Sequence, residues 1–276
     1  MIEAFAPAKI NLTLHVTGQR DNGYHELDSL VVFADIGDRI GIELAETSEL
    51  TVEGPMANGV PEDDDNLVMR AARLMGLDAR IRLQKFLPNA AGLGGGSSDA
   101  AAVLRALAQL SGRPVPEDAL SLGADVPACL QARAARMRGI GESITPVTGL
   151  PALHAVLINP AAPVATQSVF QQLQTRANAP MPDELPPLAD AGAAVAWLRS
   201  MRNDLEAPAQ ALQPVIGQVI ETLSATPGCQ LARMSGSGAT CFGLYNDAET
   251  AASAAGRLRE GFAGWWVAAT RLNAPS

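Results

Sequence analysis

Apolar and polar residues alternate without a break from Lys9 to Val16, a pattern that predicts a strand with one face in the core. The apolar face consists of Ile10, Leu12, Leu14 and Val16. The opposite face consists of Lys9, Asn11, Thr13 and His15. We expect this polar row to point toward solvent or toward a ligand.

A second pattern is a glycine-rich segment that is followed by apolar residues at helical spacing. Apolar residues recur at helical intervals from Ala100 to Leu110, directly after Ser97-Ser98-Asp99. Serine and aspartate favour helix N-caps, so we expect a helix that begins near Ala100 and ends at Ser111-Gly112. The residues before the glycines, 79–87, predict a strand, which gives the local order strand, glycine loop, helix.

The remaining pattern mixes strands and helices and predicts an α+β fold. In the first half we expect strands at 39–44 and 49–53 and a helix at 66–75. In the second half we expect helices at 191–199, 208–225 and 248–260, and strands at 230–234, 239–245 and 265–272. The last of these elements are typical of a ferredoxin-like unit. A Pro-, Ala- and Leu-rich stretch at 149–163 predicts a boundary between domains 1–150 and 151–276.

Composition narrows the possible partners and the compartment. The net charge of -9 argues against a nucleic-acid partner, because phosphate backbones are bound by clustered Lys and Arg. Cys129, Cys229 and Cys241 are far apart and predict neither a disulfide framework nor a zinc site, which fits a reducing cytoplasm. The acidic N-terminal segment is unlike a signal peptide, and no run reaches the about 18 apolar residues of a membrane span. We therefore expect a soluble protein without membrane contact.

Four glycines at positions 92, 94, 95 and 96 suit a loop that approaches a ligand closely, because glycine tolerates positive φ angles. The helix that follows would direct free N–H groups and its positive dipole end at that ligand, and phosphate is the anion that such sites favour. The loop lacks the lysine of the Walker pattern and the third glycine of the dinucleotide pattern. A flexible linker is the alternative, but a linker is not followed at once by a helix.

Two charged residues are candidates for chemistry. The chain has only two lysines, Lys9 and Lys85, so Lys9 is a candidate for a compact point charge that arginine cannot replace. The alternative is that Lys9 is an ordinary solvated lysine at the edge of a strand. Asp125 lies among apolar neighbours in Gly-Ala-Asp-Val-Pro, where a carboxylate needs a partner. The alternative is an ordinary helix cap.

Tyr24 and His25 follow Gly23 in a turn-rich loop and combine a stacking face with hydrogen-bonding nitrogens. These are the requirements of a nucleobase site. An adjacent Tyr-His pair is weak evidence, because it also occurs where a loop anchors itself. His15 and His154 have no such context, and we interpret them as structural.

At the segment Pro88-x-x-x-Gly92-Leu93-Gly94-Gly95-Gly96-Ser97-Ser98-Asp99, the sequence resembles the phosphate loop of the GHMP small-molecule kinases. It is most similar to the kinases of cytidylated methylerythritol in the non-mevalonate route to isoprenoids. Further similar motifs are Pro-Ala-Lys9-Ile-Asn-Leu, Gly-Tyr24-His25, Gly-Ala-Asp125-Val-Pro, Asn-Asp-Leu-Glu at 203–206 and Ser-Gly-Ser-Gly at 235–238. Together they span most of the chain. The Ser-Gly-Ser-Gly segment could also be only a hairpin turn.

The resemblance implies a two-domain GHMP-kinase fold and phosphoryl transfer from ATP, with Mg²⁺ whose ligands the sequence does not identify. It implies that Lys9 and Asp125 are catalytic and that a cytidine diphosphate substrate contacts Asn11, Tyr24, His25, Thr166 and Phe170. The implied ATP-binding residues are Pro88, Gly92, Leu93, Gly94, Gly95, Gly96, Ser97 and Ser98. One departure is the segment 132–142, where the family's usual Gly-Gly-Thr-Ala is absent; this puts the local strand and a phosphate contact in doubt.

Two other functions remain open at this point. One is a GHMP-type kinase of mevalonate derivatives or homoserine, which would not need the base-recognition set Tyr24, His25 and Phe170. The other is a nucleotide-binding regulatory module without turnover, which would not need Lys9 and Asp125 together.

We expect a monomer or a weak homodimer.

Overall fold

The computed structural model of the chain describes residues 1–274, which form two compact units built from alternating segments. The first unit contains residues 1–9, 36–89 and 94–132, and the second contains residues 10–35, 90–93 and those from 133 onward. This division differs from the predicted split at residue 150. The reason is that strands β1 (Ile2–Asn11) and β3 (His25–Leu44) each contribute residues to both units.

The first unit combines a small sheet with three helices. Here β5 (Ala79–Gln84) is antiparallel to the later part of β3 and parallel to β4 (Glu49–Glu53). The helices are α1 (Leu67–Leu74), α2 (Gly95–Ser111) and α3 (Val126–Gln131), with a 3₁₀ helix at Glu117–Leu122. The side chain of Asn66 accepts a hydrogen bond from the N–H of Val68 and so caps α1, close to the predicted start.

Helix α2 begins five residues before the predicted start, and the predicted caps are wrong. Its N-cap is Gly94, which has φ of 61° and offers no side chain. The hydroxyl of Ser98 instead donates to the carbonyl of Pro7 at 2.8 Å, and the carboxylate of Asp99 accepts from Lys85 at 2.7 Å. Cap-type residues therefore lie inside the first helical turns because tertiary partners, not the helix end, bind their side chains.

The second unit contains the predicted ferredoxin-like arrangement. Strands β8 (Leu153–Asn159), β9 (Cys229–Met234), β10 (Cys241–Tyr245) and β11 (Trp266–Leu272) form an antiparallel sheet in the order β11-β8-β10-β9. Helix α7 (Val215–Ser224) precedes β9, and α8 (Ala248–Gly261) connects β10 to β11. Two strands flank β8, so it is a central strand of this sheet.

Strand β8 lies within the stretch that composition marks as a domain boundary, where the sequence patterns predict no strand. The boundary itself stays a prediction. The residues of β8 from Ala155 to Ile158 are all fully buried, so β8 lacks the alternation of a half-exposed strand. The prediction of a single helix at 208–225 is wrong, because this segment forms two helices, α6 (Glu206–Leu212) and α7. The break falls at Pro214, whose missing N–H cannot continue a helix.

The rest of the second unit extends the earlier part of β3. Strand β2 (His15–Gln19) and strand β6 (Ala135–Gly139) pair antiparallel with it, and β7 (Ser143–Pro146) pairs with β6. The atypical segment 132–142 thus contains a regular strand. The remaining helices are α4 (Thr166–Gln171) and α5 (Ala191–Arg199). Among the residues described, no helix has the length and apolar character needed to cross a bilayer.

Candidate active site

The two predicted catalytic residues form an ion pair in the first unit. Lys9 lies on β1 with 4% of its surface exposed, and its Nζ donates to Oδ1 of Asp125 across 2.6 Å. Asp125 directly precedes α3, yet its side chain makes no capping hydrogen bond to that helix. The interpretations of Asp125 as a simple cap and of Lys9 as a solvated lysine are therefore wrong. The Asp125 side chain is 31% exposed, so a substrate can reach the carboxylate.

Gly94 lies against this ion pair, and the space around it leaves little room for a side chain. An added Cβ at Gly94 would be 3.3 Å from Cβ of Lys9 and 3.5 Å from Oδ2 of Asp125. Its φ of 61° is also strained for any residue with a Cβ. Positive φ angles occur at Gly92 and Gly94, whereas Gly95 and Gly96 are helical, so the expectation of positive φ is wrong for those two.

The first turn of α2 offers backbone donors to an anion. The first helical hydrogen bond runs from the N–H of Ser98 to the carbonyl of Gly94, so the N–H groups of Gly95, Gly96 and Ser97 have no acceptor within the helix. They lie at the positive end of a helix of 17 residues. Ser98 itself is fully buried, and its N–H and hydroxyl are both engaged. Ser98 therefore anchors the turn and has no donor left for phosphate.

The residues that precede Gly94 in the loop belong to the second unit, where they contact the Ser-Gly-Ser-Gly segment. The hydroxyl of Ser235 donates to the carbonyl of Gly92 and accepts from the N–H of Asn11. An added Cβ at Gly92 would be 2.5 Å from the carbonyl oxygen of Ser235. Contact this close requires glycine, and it shows that the Ser-Gly-Ser-Gly segment is more than a hairpin turn.

The polar row predicted on the first strand is buried rather than exposed to solvent: Lys9, Asn11, Thr13 and His15 are all at most 4% exposed. The Asn11 side-chain amide donates to Ser29, while its Oδ1 has no partner within residues 1–274. Nδ1 of His15 lies 3.2 Å from the carbonyl of Ala179, and burial lowers the pKa of its ring. Its Nε2 is buried without a partner among the described residues, and the interpretation of His15 as structural stays a prediction.

Two of the predicted base-binding residues, His25 and Phe170, meet in the second unit. The rings of His25 and Phe170 are stacked, with centroids 4.7 Å apart and an angle of 20° between the planes. Burial and the nearby Arg176 lower the pKa of His25, which leaves a neutral ring at neutral pH, and its Nε2 is buried without a partner in the described residues. Tyr24 is 60% exposed. Such a set can stack on a base and hydrogen-bond to its edge.

Thr166 is the remaining predicted contact, and it begins helix α4. Its hydroxyl lies 2.7 Å from the hydroxyl of Ser237 in the Ser-Gly-Ser-Gly segment. The side chain of Asn203 supports the same segment by donating to the carbonyls of Met234 and Gly236, both at 2.9 Å. Motifs that are far apart in sequence thus hold one another in place within this unit.

Comparison with known proteins gives the family. The sequence model of the GHMP kinases N terminal domain matches residues 66–134, and that of the GHMP kinases C terminal domain matches residues 187–264. The 4-diphosphocytidyl-2-C-methyl-D-erythritol kinase of Cereibacter sphaeroides (strain ATCC 17025 / ATH 2.4.3) is 57% identical over 276 residues, covering 99% of each chain. The chain belongs to the GHMP kinases. It is a small-molecule kinase that uses ATP.

Other relatives support the assignment over the full length of this GHMP kinase. The 4-diphosphocytidyl-2-C-methyl-D-erythritol kinase of Ruegeria pomeroyi (strain ATCC 700808 / DSM 15171 / DSS-3) is 55% identical, covering 98% of this chain and 99% of its own. A crystal structure of a 4-(cytidine 5'-diphospho)-2C-methyl-D-erythritol kinase superposes with a TM-score of 0.81 at 37% identity. The match covers 99% of this chain and 100% of that one. The predicted GHMP-kinase fold is confirmed.

Sequence reasoning missed one cluster of this GHMP kinase. In the first unit, the ammonium of Lys85 donates to the carboxylates of both Asp38 and Asp99, and all three side chains are buried. The scarcity of lysine was a usable signal for Lys85. The sequence did not indicate that Asp99 belongs to this cluster, because an aspartate directly before an apolar run is typical of a helix cap.

Proposed function

We propose that this chain transfers the γ-phosphoryl group of ATP to the 2-hydroxyl of 4-diphosphocytidyl-2-C-methyl-D-erythritol. The observation that carries the proposal is the ion pair of Lys9 and Asp125 beside Gly94, at the start of a helix whose first N–H groups are free. The substrate is inferred from the names of relatives that match over the full length of the chain.

In the proposed reaction the acceptor oxygen forms a bond to the γ-phosphorus, and the bond from that phosphorus to the bridging oxygen of ADP breaks. Asp125 takes the proton of the acceptor hydroxyl. Lys9 holds Asp125 in place through its hydrogen bond and offsets negative charge as it develops. Catalysis of this kind rests on positioning and on stabilising charge, and both groups are already fixed by their contacts.

We propose that the nucleotide phosphates bind to the backbone of Gly94, Gly95, Gly96 and Ser97, and that Pro88, Gly92 and Leu93 shape the loop. The cytosine of the acceptor would stack on the exposed ring of Tyr24, beside His25, whose own face is covered by Phe170. Nε2 of the neutral His25 ring has no partner among the described residues and would hydrogen-bond to the edge of the cytosine, as a donor or as an acceptor according to the tautomer. Thr166 and Asn11 complete the proposed acceptor-binding set.

Magnesium is part of the proposal, without a protein cage of its own. Within residues 1–274, no three His, Cys, Asp or Glu side chains are grouped so that they could hold a metal ion. Mg²⁺ would enter with ATP and be held by phosphate oxygens, water and at most one or two protein carboxylates, as is usual for nucleotide-bound magnesium.

The test is an assay that couples ADP release to an optical signal, run with three acceptors: the cytidylated methylerythritol, mevalonate and homoserine. We expect turnover with the first alone, and phosphorus NMR of the product should show a phosphate ester at the 2-hydroxyl. Turnover with mevalonate or homoserine would favour a different GHMP-type kinase. ATP binding without ADP release from any acceptor would favour a regulatory module, against which the ion pair of Lys9 and Asp125 argues.

We further propose that the enzyme works in the cytoplasm as a monomer or a weak homodimer. Its three cysteines are free thiols, and two of them, Cys129 and Cys241, are buried. Free thiols fit a reducing compartment. Light scattering across a range of protein concentrations measures the assembly: a stable higher oligomer at low concentration would contradict the proposal.

A further inference from the structure

Three buried charges form a cluster in the first unit that the reaction described above does not use. Nζ of Lys85 donates to Oδ2 of Asp38 and, at 2.7 Å, to Oδ2 of Asp99. The side chains of all three residues are between 0% and 4% exposed. With both acids ionised the cluster has a net charge of −1, and a buried net charge is costly unless a proton neutralises it.

The hydrogen bonds show which acid accepts that proton. Oδ1 of Asp38 accepts the N–H groups of Phe86 and Leu87, at 2.6 and 2.9 Å, so all its contacts favour the ionised form. Oδ1 of Asp99 is buried and has no partner within residues 1–274. A proton on Asp99 cancels the net charge of the cluster at the one carboxylate oxygen that no donor stabilises. Asp99 is therefore the member that titrates.

The cluster lies against the turn that receives phosphate. An added Cβ at Gly95 would be 3.6 Å from Nζ of Lys85 and 3.8 Å from Oδ2 of Asp38, and Asp99 is on the next turn of α2. The unbonded N–H groups of Gly95 and Gly96 belong to that same turn. Buried charges this close to an anion interact strongly with it, because little water screens them.

No other charge on the neighbouring helices compensates the cluster. On α1 the charged residues Arg70 and Arg73 are exposed at the surface. On α3, Cys129 is fully buried, and burial raises the pKa of its thiol, so it stays neutral. Lys9 and Asp125 neutralise each other, and on α2 the guanidinium of Arg105 donates to backbone carbonyls, including that of Cys129.

We propose that Asp38, Lys85 and Asp99 position the phosphate-binding turn, and that ATP binding drives a proton from solvent onto Oδ1 of Asp99. The proposal rests on the proposed binding of ATP phosphates at this turn. With Asp99 ionised the cluster repels the nucleotide, whereas with Asp99 protonated it is neutral. Burial raises the pKa of Asp99 to about 7, so near neutral pH a nearby triphosphate readily shifts its protonation.

Calorimetric titration of the full-length protein with magnesium-saturated ATP tests the proposal. At pH 7.5, titrations in two buffers of different ionisation enthalpy measure the protons taken up per ATP bound. We expect uptake of a fraction of a proton by the parent protein and none by Asp99→Asn, whose amide keeps the shape and the contact to Lys85. The exposed control Asp65→Asn should take up protons as the parent does.

Uptake by Asp99→Asn equal to that of the parent, or no uptake by the parent, would overturn the proposal. A failure of ATP to bind at all would instead overturn the proposed phosphate site. If Asp99→Asn does not fold, the parent protein decides the question alone. Its ATP affinity should weaken as pH rises from 6 to 8.5, by at most about tenfold per pH unit for one linked proton. A protonated-carboxyl band should also appear in its infrared difference spectrum when ATP binds, and the absence of both effects would refute the coupling.

Discussion

Lys9 and Asp125 lie 116 positions apart in the chain, and the ammonium of the first donates to the carboxylate of the second at 2.6 Å. One residue is on a strand, and the other directly precedes a short helix. Because Lys9 is buried and Asp125 is partly exposed, the carboxylate is the member of the pair that a substrate hydroxyl can reach. This difference in exposure supports the proposed roles, in which Asp125 takes the proton and Lys9 holds Asp125 in place.

Asp125→Asn tests the role of the carboxylate. We expect kcat to fall by roughly 10²-fold or more, because the amide cannot take a proton from the acceptor hydroxyl. The amide oxygen still accepts from Lys9, so ATP affinity and melting temperature should stay near those of the parent. Both, together with kcat, are measured on one preparation. Asp118→Asn, at an exposed position on the 3₁₀ helix, is the matched control. A fully active Asp125→Asn enzyme would remove this residue from the mechanism.

Gly94→Ala and Gly112→Ala separate strain from function at the two ends of α2. Both glycines have positive φ, 61° and 71°, so each substitution should cost about 1 kcal/mol of unfolding free energy. Only the new Cβ at position 94 meets Lys9, whereas nothing lies within 4 Å at position 112. We expect a loss of ATP affinity and kcat for Gly94→Ala alone. Equal activities of the two variants would contradict the proposed phosphate turn.

His25→Ala should raise KM for the cytidylated acceptor by about tenfold or more, because it leaves a base edge without a partner, and should leave KM for ATP unchanged. His154→Ala, on β8, is the control. Burial lowers the pKa of His25, so the acceptor KM of the parent should be constant near neutral pH and rise as pH falls through that lowered pKa. Losses of the same size for both substrates would mean that His25 supports only the fold.

The stability of the fold should depend on pH through Asp99. Its folded pKa of about 7 lies above the ordinary value of 3.8, so the protonated form stabilises the folded state. That stability is fully present below pH 3.8 and is lost as pH rises through 7, with a slope of at most about 1.4 kcal/mol per pH unit. In urea unfolding at pH 5 to 8, Asp99→Asn should flatten this slope and Asp65→Asn should not. An unchanged slope in Asp99→Asn would show that Asp99 stays ionised in the fold.

Local sequence patterns correctly predicted the helices and strands whose apolar residues recur with a clear period. Helices α1, α5 and α8 and strand β4 agree with expectation because their exposed and buried faces alternate with the correct period. Strand β8 was missed because a strand buried on both sides has no such period. The early start of α2 was missed because partners far along the chain bind Ser98 and Asp99.

The sequence predicted those residues of the candidate site that belong to recognisable motifs. It did not predict the buried ion cluster, whose members come together only on folding. The stack of His25 on Phe170 joins two motifs that the resemblance had already assigned to the acceptor. In contrast, nothing local to Asp38 or Lys85 indicates that their side chains meet. An ion cluster depends on tertiary contacts, and its members follow no sequence period.

Both lysines of the chain are buried and held by carboxylates, which has a consequence for chemical labelling. Reagents that modify lysine attack a solvent-accessible, deprotonated amine, and neither Lys9 nor Lys85 exposes its amine in the folded molecule. The rate at which such a reagent modifies each lysine therefore reports how often its surroundings open. Peptide mass mapping over time would then give two separate opening rates, one beside the proposed catalytic carboxylate and one beneath the phosphate turn.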